Sequence, residues 1–291
     1  MPRPATGETP GRAIWHSQVD QARVRAVTPA APIGVFDSGI GGLTVVAGLR
    51  RVLPREAILY LGDTARVPYG TKSSEVVRRY AHTCARFLLT EGAKMLVVAC
   101  NTASAHALEF LRASFAVPVV GVIEPGAAMA ARATRNNRIG VIGTEGTITS
   151  GSYQRALARL APEATVIAKS CPLFVPLAEE GMVDHPATRL IATEYLAPFA
   201  AHEVDTVVLG CTHYPLLSPV LQQILGNSVE LVDSASAVAI VVRDTLEANS
   251  LSAPRRAAED RFFATDVSQR VLRVGRAFLG AELAAVNLVD L

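Results

Sequence analysis

The strongest constraint on this chain is that it carries the same arrangement twice. Residues 94–105 read Lys-Met-Leu-Val-Val-Ala-Cys-Asn-Thr-Ala-Ser-Ala, an apolar run of strand length that ends in Cys100 and leads into small and polar residues that open a helix. Residues 205–216 read Asp-Thr-Val-Val-Leu-Gly-Cys-Thr-His-Tyr-Pro-Leu and do the same with Cys211. The repetition extends beyond the two cysteines. Ile33-Gly34-Val35 recurs as Ile139-Gly140-Val141 after 106 residues, and the strand-end cysteine recurs after 111. A period of that size is a duplication of domains and is too long for a solenoid.

In the first copy the pattern predicts a strand from Ile33 to Phe36, a glycine turn at residues 37–42 and a helix to Leu53. A strand from Ala57 to Leu61, a loop at 62–70, a helix from Ser73 to Glu91, the Cys100 strand, a helix to Phe115 and a strand from Val117 to Ile123 follow. Glu124-Pro125-Gly126 reads as a break and a crossing between domains. In the second copy a strand at Ile139–Ile142 precedes a glycine turn, a helix from Ser150 to Leu160, a strand from Thr165 to Ala168 and a loop at 171–181. A helix near 186–202, the Cys211 strand, a helix opened by Pro215 and a strand from Val229 to Val232 complete it. The rest holds a helix to Leu246 and a strand at Phe262–Thr265.

Alternating strands and helices of these lengths predict an α/β protein: two similar parallel-sheet α/β domains related by pseudo-twofold symmetry, with the active site in the cleft between them. Ligands of such sheets bind beyond the carboxyl ends of the strands. That rule gathers the Asp37 turn, the loop bearing Asp63 and Cys100 on one rim. The Thr144 turn, the 171–181 loop and Cys211 occupy the facing rim. The expected division is an extension at 1–32, a first domain at 33–123, and a second at 124–232, with pattern alone leaving the home of 233–291 open.

Composition narrows the function classes. The net charge is +2, and residues 1–32 alone carry four arginines against two acids, so the remainder is neutral. A neutral body lacks the basic footprint of a nucleic-acid binder. The leader, rich in Pro, Thr and Gly and holding the single Trp15, reads as a poorly ordered extension, with a weak anion-binding arm as the alternative. No apolar run reaches the ~18 residues of a membrane span and no secretory signal is legible, which predicts a cytoplasmic protein without a membrane partner. The cysteines Cys84, Cys100, Cys171 and Cys211 are far apart and lack metal spacing, so free thiols are expected and no metal site.

A thiol at a strand end and a helix N-terminus is placed to become a thiolate. Two facing thiols suit inversion at a stereocentre, one removing a proton from one face of a carbon and the other delivering a proton to the opposite face. A protease-type nucleophile needs one Cys with one His and leaves the second thiol unexplained. A pyridoxal-phosphate enzyme needs a lysine on the rim. Lys72, Lys94 and Lys169 are the lysines, none ends a strand, and Lys94 begins one. The glycine turns match neither G-x-G-x-x-G nor the Walker pattern in full.

Asp37 reads both as a turn residue and as a partner that tunes a thiol. His213, two residues past Cys211, is placed to assist it, and Asp63 or Glu179 reads as a further acid–base group. Ser38, Asn101, Thr102, Thr144, Thr147 and Thr212 supply hydroxyl and amide groups suited to small carboxylates, although each also suits a helix cap. Cys84 and Cys171 read as packing.

Four motifs in order, Asp-Ser-Gly-Ile-Gly-Gly-Leu-Thr-Val at 37–45, Gly-Asp-Thr-Ala-Arg-Val-Pro-Tyr-Gly at 62–70, Ala-Cys-Asn-Thr-Ala-Ser-Ala at 99–105 and Gly-Cys-Thr-His-Tyr-Pro-Leu at 210–216, resemble the bacterial glutamate racemases. The resemblance covers the chain from Ile33 to about Asp266. It implies cofactor-independent interconversion of L- and D-glutamate for peptidoglycan precursors, residues 233–291 returning to the first domain, and a homodimer. By motif, Cys100 matches the thiol acting on D-glutamate and Cys211 the one acting on L-glutamate. Asp37, His213 and Glu179 match auxiliaries, and Ser38, Tyr69, Gly70, Asn101, Thr102 and Thr212 match substrate contacts. Racemisation of aspartate or another acidic amino acid is the enzymatic alternative. A non-catalytic binder using the basic leader is the alternative of another class.

Overall fold

The structure, a computed structural model, describes residues 27–279, 283 and 285–291. Most of the predicted leader, Trp15 included, lies outside the described residues.

The first copy runs β1 (Ile33–Asp37), α1 (Leu43–Val52), β2 (Ile58–Gly62), a 3-10 turn at Tyr69–Thr71, α2 (Ser74–Thr90), β3 (Met95–Val98), α3 (Asn101–Ser114) and β4 (Val119–Gly121). Helix α4 (Ile123–Ala133) leads to the second: β5 (Arg138–Gly143), α5 (Glu145–Thr149), α6 (Ser152–Leu160), β6 (Thr165–Ser170), α7 (Phe174–Glu179) and α8 (Pro186–Ala201). Then come β7 (Thr206–Gly210), a 3-10 turn at Tyr214–Leu217, α9 (Ser218–Leu225) and β8 (Glu230–Asp233). Helix α10 (Ser234–Ala248), β9 (Arg261–Ala264), α11 (Gln269–Leu279) and β10 (Asn287–Leu288) follow.

One sheet has the order β10-β9-β2-β1-β3-β4 and the other β6-β5-β7-β8, and every pairing is parallel. The segment β2-β1-β3-β4 therefore repeats as β6-β5-β7-β8, the architectural image of the sequence duplication. Strands β1, β2, β3 and β7 are buried along their length, as continuous apolar runs covered on both faces should be. Strand β6 is the edge of its sheet and is only half-buried. Strand β9 pairs with β2, so part of the C-terminal segment completes the first sheet.

Three local expectations change. Glu124-Pro125-Gly126 is no break but the first turn of α4, where a proline is tolerated because the first helical N–H groups have no intrahelical partner. For the same reason Pro176 sits in the first turn of α7, which makes a helix out of most of the expected 171–181 loop. The helix expected at 150–160 is α6, but the glycine turn expected before it folds into a further short helix, α5, set off from α6 by Gly151 at φ +67°, a left-handed conformation that glycine adopts without steric cost.

The amino-end rim of the first sheet is fastened by Lys94, which is fully buried. Its Nζ donates to Glu56 Oε2 at 2.5 Å, to the Pro29 carbonyl at 2.7 Å and to the Leu251 carbonyl at 2.8 Å. Glu56 Oε1 in turn accepts from the Ala253 N–H at 2.7 Å. Four chain segments thus meet at one ion pair, at the end of the sheet remote from the cysteines.

Candidate active site

The carboxyl ends of both sheets face a shared cavity of about 30 Å³. Ser38, Tyr69, Gly70, Cys100, Asn101 and Thr102 line it from the first copy, and Thr144, Cys211, Thr212 and His213 from the second. Parallel register is what brings these groups level, since β1, β3, β5 and β7 end at neighbouring heights.

Cys100 is the N-cap of α3, its Sγ accepting from the Ala103 N–H at 3.4 Å and donating to Ser38 Oγ at 3.4 Å. The helix terminus does favour a thiolate, as expected from sequence, but burial outweighs it. Burial first, and the Asp37 charge second, push the Cys100 thiol up to about 12, against the opposing pull of Ser38 and the Ala103 N–H.

Asp37 is fully buried, closes the expected turn and reaches across to the other half. Its Oδ2 accepts from the Gly39 N–H at 3.0 Å, closing the turn, while its Oδ1 accepts from Thr212 Oγ1 at 3.4 Å across the cleft. Burial raises its proton affinity, and a cationic His213 and the turn N–H groups moderate the rise. Gly41 explains the next part of the motif. A Cβ there would stand 2.5 Å from Thr212 Oγ1 and 2.7 Å from the His213 ring, so only a residue without one lets this turn lie against the other half of the site.

His213 Nδ1 lies 3.9 Å from Cys211 Sγ, and its Nε2 lies 3.0 Å from Glu179 Oε1. Burial pulls its proton affinity down, but the hydrogen bonds to Cys211 and Glu179, with the Cys211 and Asp37 charges, outweigh burial and hold it up to about 10. That balance favours the protonated imidazole between Cys211 and Glu179. Glu179, the last residue of α7, does not line the cavity and acts on it through His213.

Two expected contacts sit one layer back. Asp63 is buried, with Oδ1 accepting from Arg66 Nε at 2.8 Å and Thr265 Oγ1 at 3.0 Å, and Oδ2 accepting from the Tyr69 hydroxyl. It holds the loop that presents Tyr69 and Gly70. Thr147 is buried against Thr102 Oγ1 at 3.2 Å and Thr144 Oγ1 at 3.0 Å, and the latter two hydroxyls are 2.9 Å apart. Cys84 and Cys171 lie in the cores, as expected. Sequence reasoning passed over Tyr153, a fully buried residue of α6 whose hydroxyl donates to Asn101 Oδ1 at 2.7 Å. Its one sequence signal is its place in the helix after the duplicated glycine turn.

Each half thus brings a thiol and a titratable neighbour to one space, and the proteins similar to this chain define its class: it is an amino-acid racemase, an isomerase. The profile of Asp/Glu/Hydantoin racemases matches residues 33–241, and the chain belongs to that family. It is 52% identical to a glutamate racemase of Geobacter metallireducens over 264 residues, 90% of this chain and 98% of the relative. Among solved structures, a glutamate racemase isoform of Bacillus anthracis superposes with a TM-score of 0.86 at 39% identity, covering 90% of this chain and 98% of that one. The glutamate racemase of Francisella tularensis, solved in complex with D-glutamate, gives 0.84 at 38% over 90% and 98%.

Proposed function

We propose that this enzyme interconverts L- and D-glutamate by a two-base transfer in which Cys100 and Cys211 exchange the α-proton without a cofactor. The observation that carries the reading is that both thiols line a single cavity from opposite halves, with the Asp37 charge acting on Cys100 and His213 lying beside Cys211. Starting from D-glutamate, the Cys100 thiol passes its proton to Asp37, whose buried carboxylate has a raised proton affinity. The Cys100 thiolate then takes the α-proton, and the C–H electron pair remains on the α-carbon, delocalised into the carboxylate. Cys211 delivers its proton to the other face and is left as thiolate beside the His213 imidazolium, which returns a proton to it with Glu179 holding the ring. Starting from L-glutamate the order reverses. Ser38, the Tyr69–Gly70 backbone, Asn101, Thr102, Thr144 and Thr212 hold the substrate's carboxylates and ammonium. Asp63 and Thr147 support that set from behind.

The same reading makes the enzyme a cytoplasmic homodimer that supplies D-glutamate for peptidoglycan synthesis. Among the described residues no helix is long and apolar enough to cross a membrane, which accords with that placement. Purified enzyme given D-glutamate in deuterated water without added cofactor should lose optical rotation and gain deuterium at the α-carbon. Cys100→Ser and Cys211→Ser should each abolish this. Full racemisation by either variant, or a faster reaction with aspartate than with glutamate, would sink the reading.

A further inference from the structure

Asn101 makes an unusual pair of statements about itself. Its Oδ1 accepts the Tyr153 hydroxyl at 2.7 Å, whereas its Nδ2, equally buried, has no hydrogen-bond partner although Asn101 lines the cavity. A buried amide N–H without a partner costs stability, and a native chain keeps such a group where it meets a ligand. Left to itself, a primary amide can rotate by a half-turn and present either its acceptor or its donors to the cavity. Tyr153 removes the choice. Its hydroxyl donates to Asn101 Oδ1 at 2.7 Å, which keeps the amide oxygen on the Tyr153 side. The phenol also packs at the foot of the cleft, where a Cβ on Gly126 of α4 would come within 3.3 Å of its oxygen and where its ring lies against Gly210 at the end of β7. It therefore lies against α4, a segment that crosses between the copies, as well as a residue of each rim.

Resting on the glutamate reading above, we propose that Tyr153 is a positioning residue that locks the Asn101 amide with its N–H groups toward the cavity, as donors to a substrate carboxylate. The phenol touches no substrate itself. It fixes which face of Asn101 the substrate meets.

The test uses the full-length enzyme and four variants: Tyr153→Phe, Asn101→Ala, Asn101→Asp and Tyr153→Phe combined with Asn101→Ala. Losing the phenol hydrogen bond should raise KM for glutamate about tenfold with a smaller fall in kcat. Asn101→Asp, which keeps the acceptor for Tyr153 but has no N–H to offer, should raise KM at least as much. The double variant should match Asn101→Ala alone, because the phenol acts only through the amide. Wild-type KM in Tyr153→Phe or in Asn101→Asp, or an equal cost of the Tyr153 change with and without Asn101, would overturn the proposal and leave the racemase reading intact. A wild-type enzyme inert toward glutamate would overturn both.

Discussion

Cys100 and Cys211 end equivalent strands, yet their partners carry opposite charge, an aspartate beside one and an imidazolium beside the other. The asymmetry is testable because L- and D-glutamate have equal free energies in water, which fixes the equilibrium constant at unity and forces kcat/KM to be equal in both directions for every variant. Asp37→Asn should lower both by about 10²-fold, the scale of a lost acid–base partner. The direction lies in the isotope effects. With α-deuterated substrates the variant's effect should grow when D-glutamate is the starting material and shrink from L-glutamate. His213→Asn should do the opposite. Identical isotope effects from both enantiomers in both variants would refute the assignment of one auxiliary to each thiol. The residues carrying this logic were legible because strand ends, glycine turns and cysteines announce themselves in sequence. Tyr153 was not, since a tyrosine within a helix has no local signal when its partner is 52 residues away. Asp63 was legible as a rim carboxylate, but only the packing of β9 against β2 revealed that Thr265 occupies it.

At the level of elements, the strands were the readable part, because a parallel strand covered on both faces must be an uninterrupted apolar run. The errors fell at prolines and glycines. Pro125 and Pro176 read as breaks and proved to be first-turn residues, a distinction that depends on where the preceding chain turns. Lys94 shows the same limit in another form. Its place at a strand start excluded it from the cysteine rim, but its burial beside Glu56 came from segments that pattern does not bring together. Burial lowers the proton affinity of Lys94, with Glu56 opposing the shift. Removing one partner of such a pair strands the other charge, so Lys94→Met should cost about 3–5 kcal/mol in urea unfolding. The paired change Lys94→Met with Glu56→Gln should recover part of that loss, and racemisation by the folded fraction should be unchanged. A loss confined to activity would mean that the clamp reaches the site after all.

For the whole molecule, His213 and two buried thiols set the response to alkaline pH. The folded chain keeps a proton on His213 up to about 10 against an ordinary 6.5, so this contribution to stability is whole below pH 6.5 and is lost as pH rises through 10. Cys100 and Cys171, each pushed from 9.0 up to about 12 chiefly by burial, act in the same sense from pH 9 upward. Denaturation midpoints should therefore fall continuously from pH 6.5 to 10, and His213→Gln should flatten the earlier part of that fall. The cavity adds a second demand. At about 30 Å³ it has room for roughly one water molecule and none for an amino acid, so the halves must part to admit substrate. What must part is visible at the mouth. A Cβ on Gly146 would lie 2.9 Å from the Gly70 carbonyl, His106 Nε2 is 2.9 Å from the Gly146 carbonyl, and Thr102 and Thr144 meet across the gap. These polar contacts join the halves beside the cavity, apart from the apolar cores, so the mouth is the segment expected to open. Hydrogen exchange on a Cys100→Ser, Cys211→Ser double variant, made to prevent turnover, should slow at residues 69–71 and 144–149 when D-glutamate is added. The strands at 33–37 and 138–143, buried in either state, should exchange as before. Uniform slowing across the chain, or none at the mouth, would mean that substrate reaches the thiols by a route other than separation of the two halves.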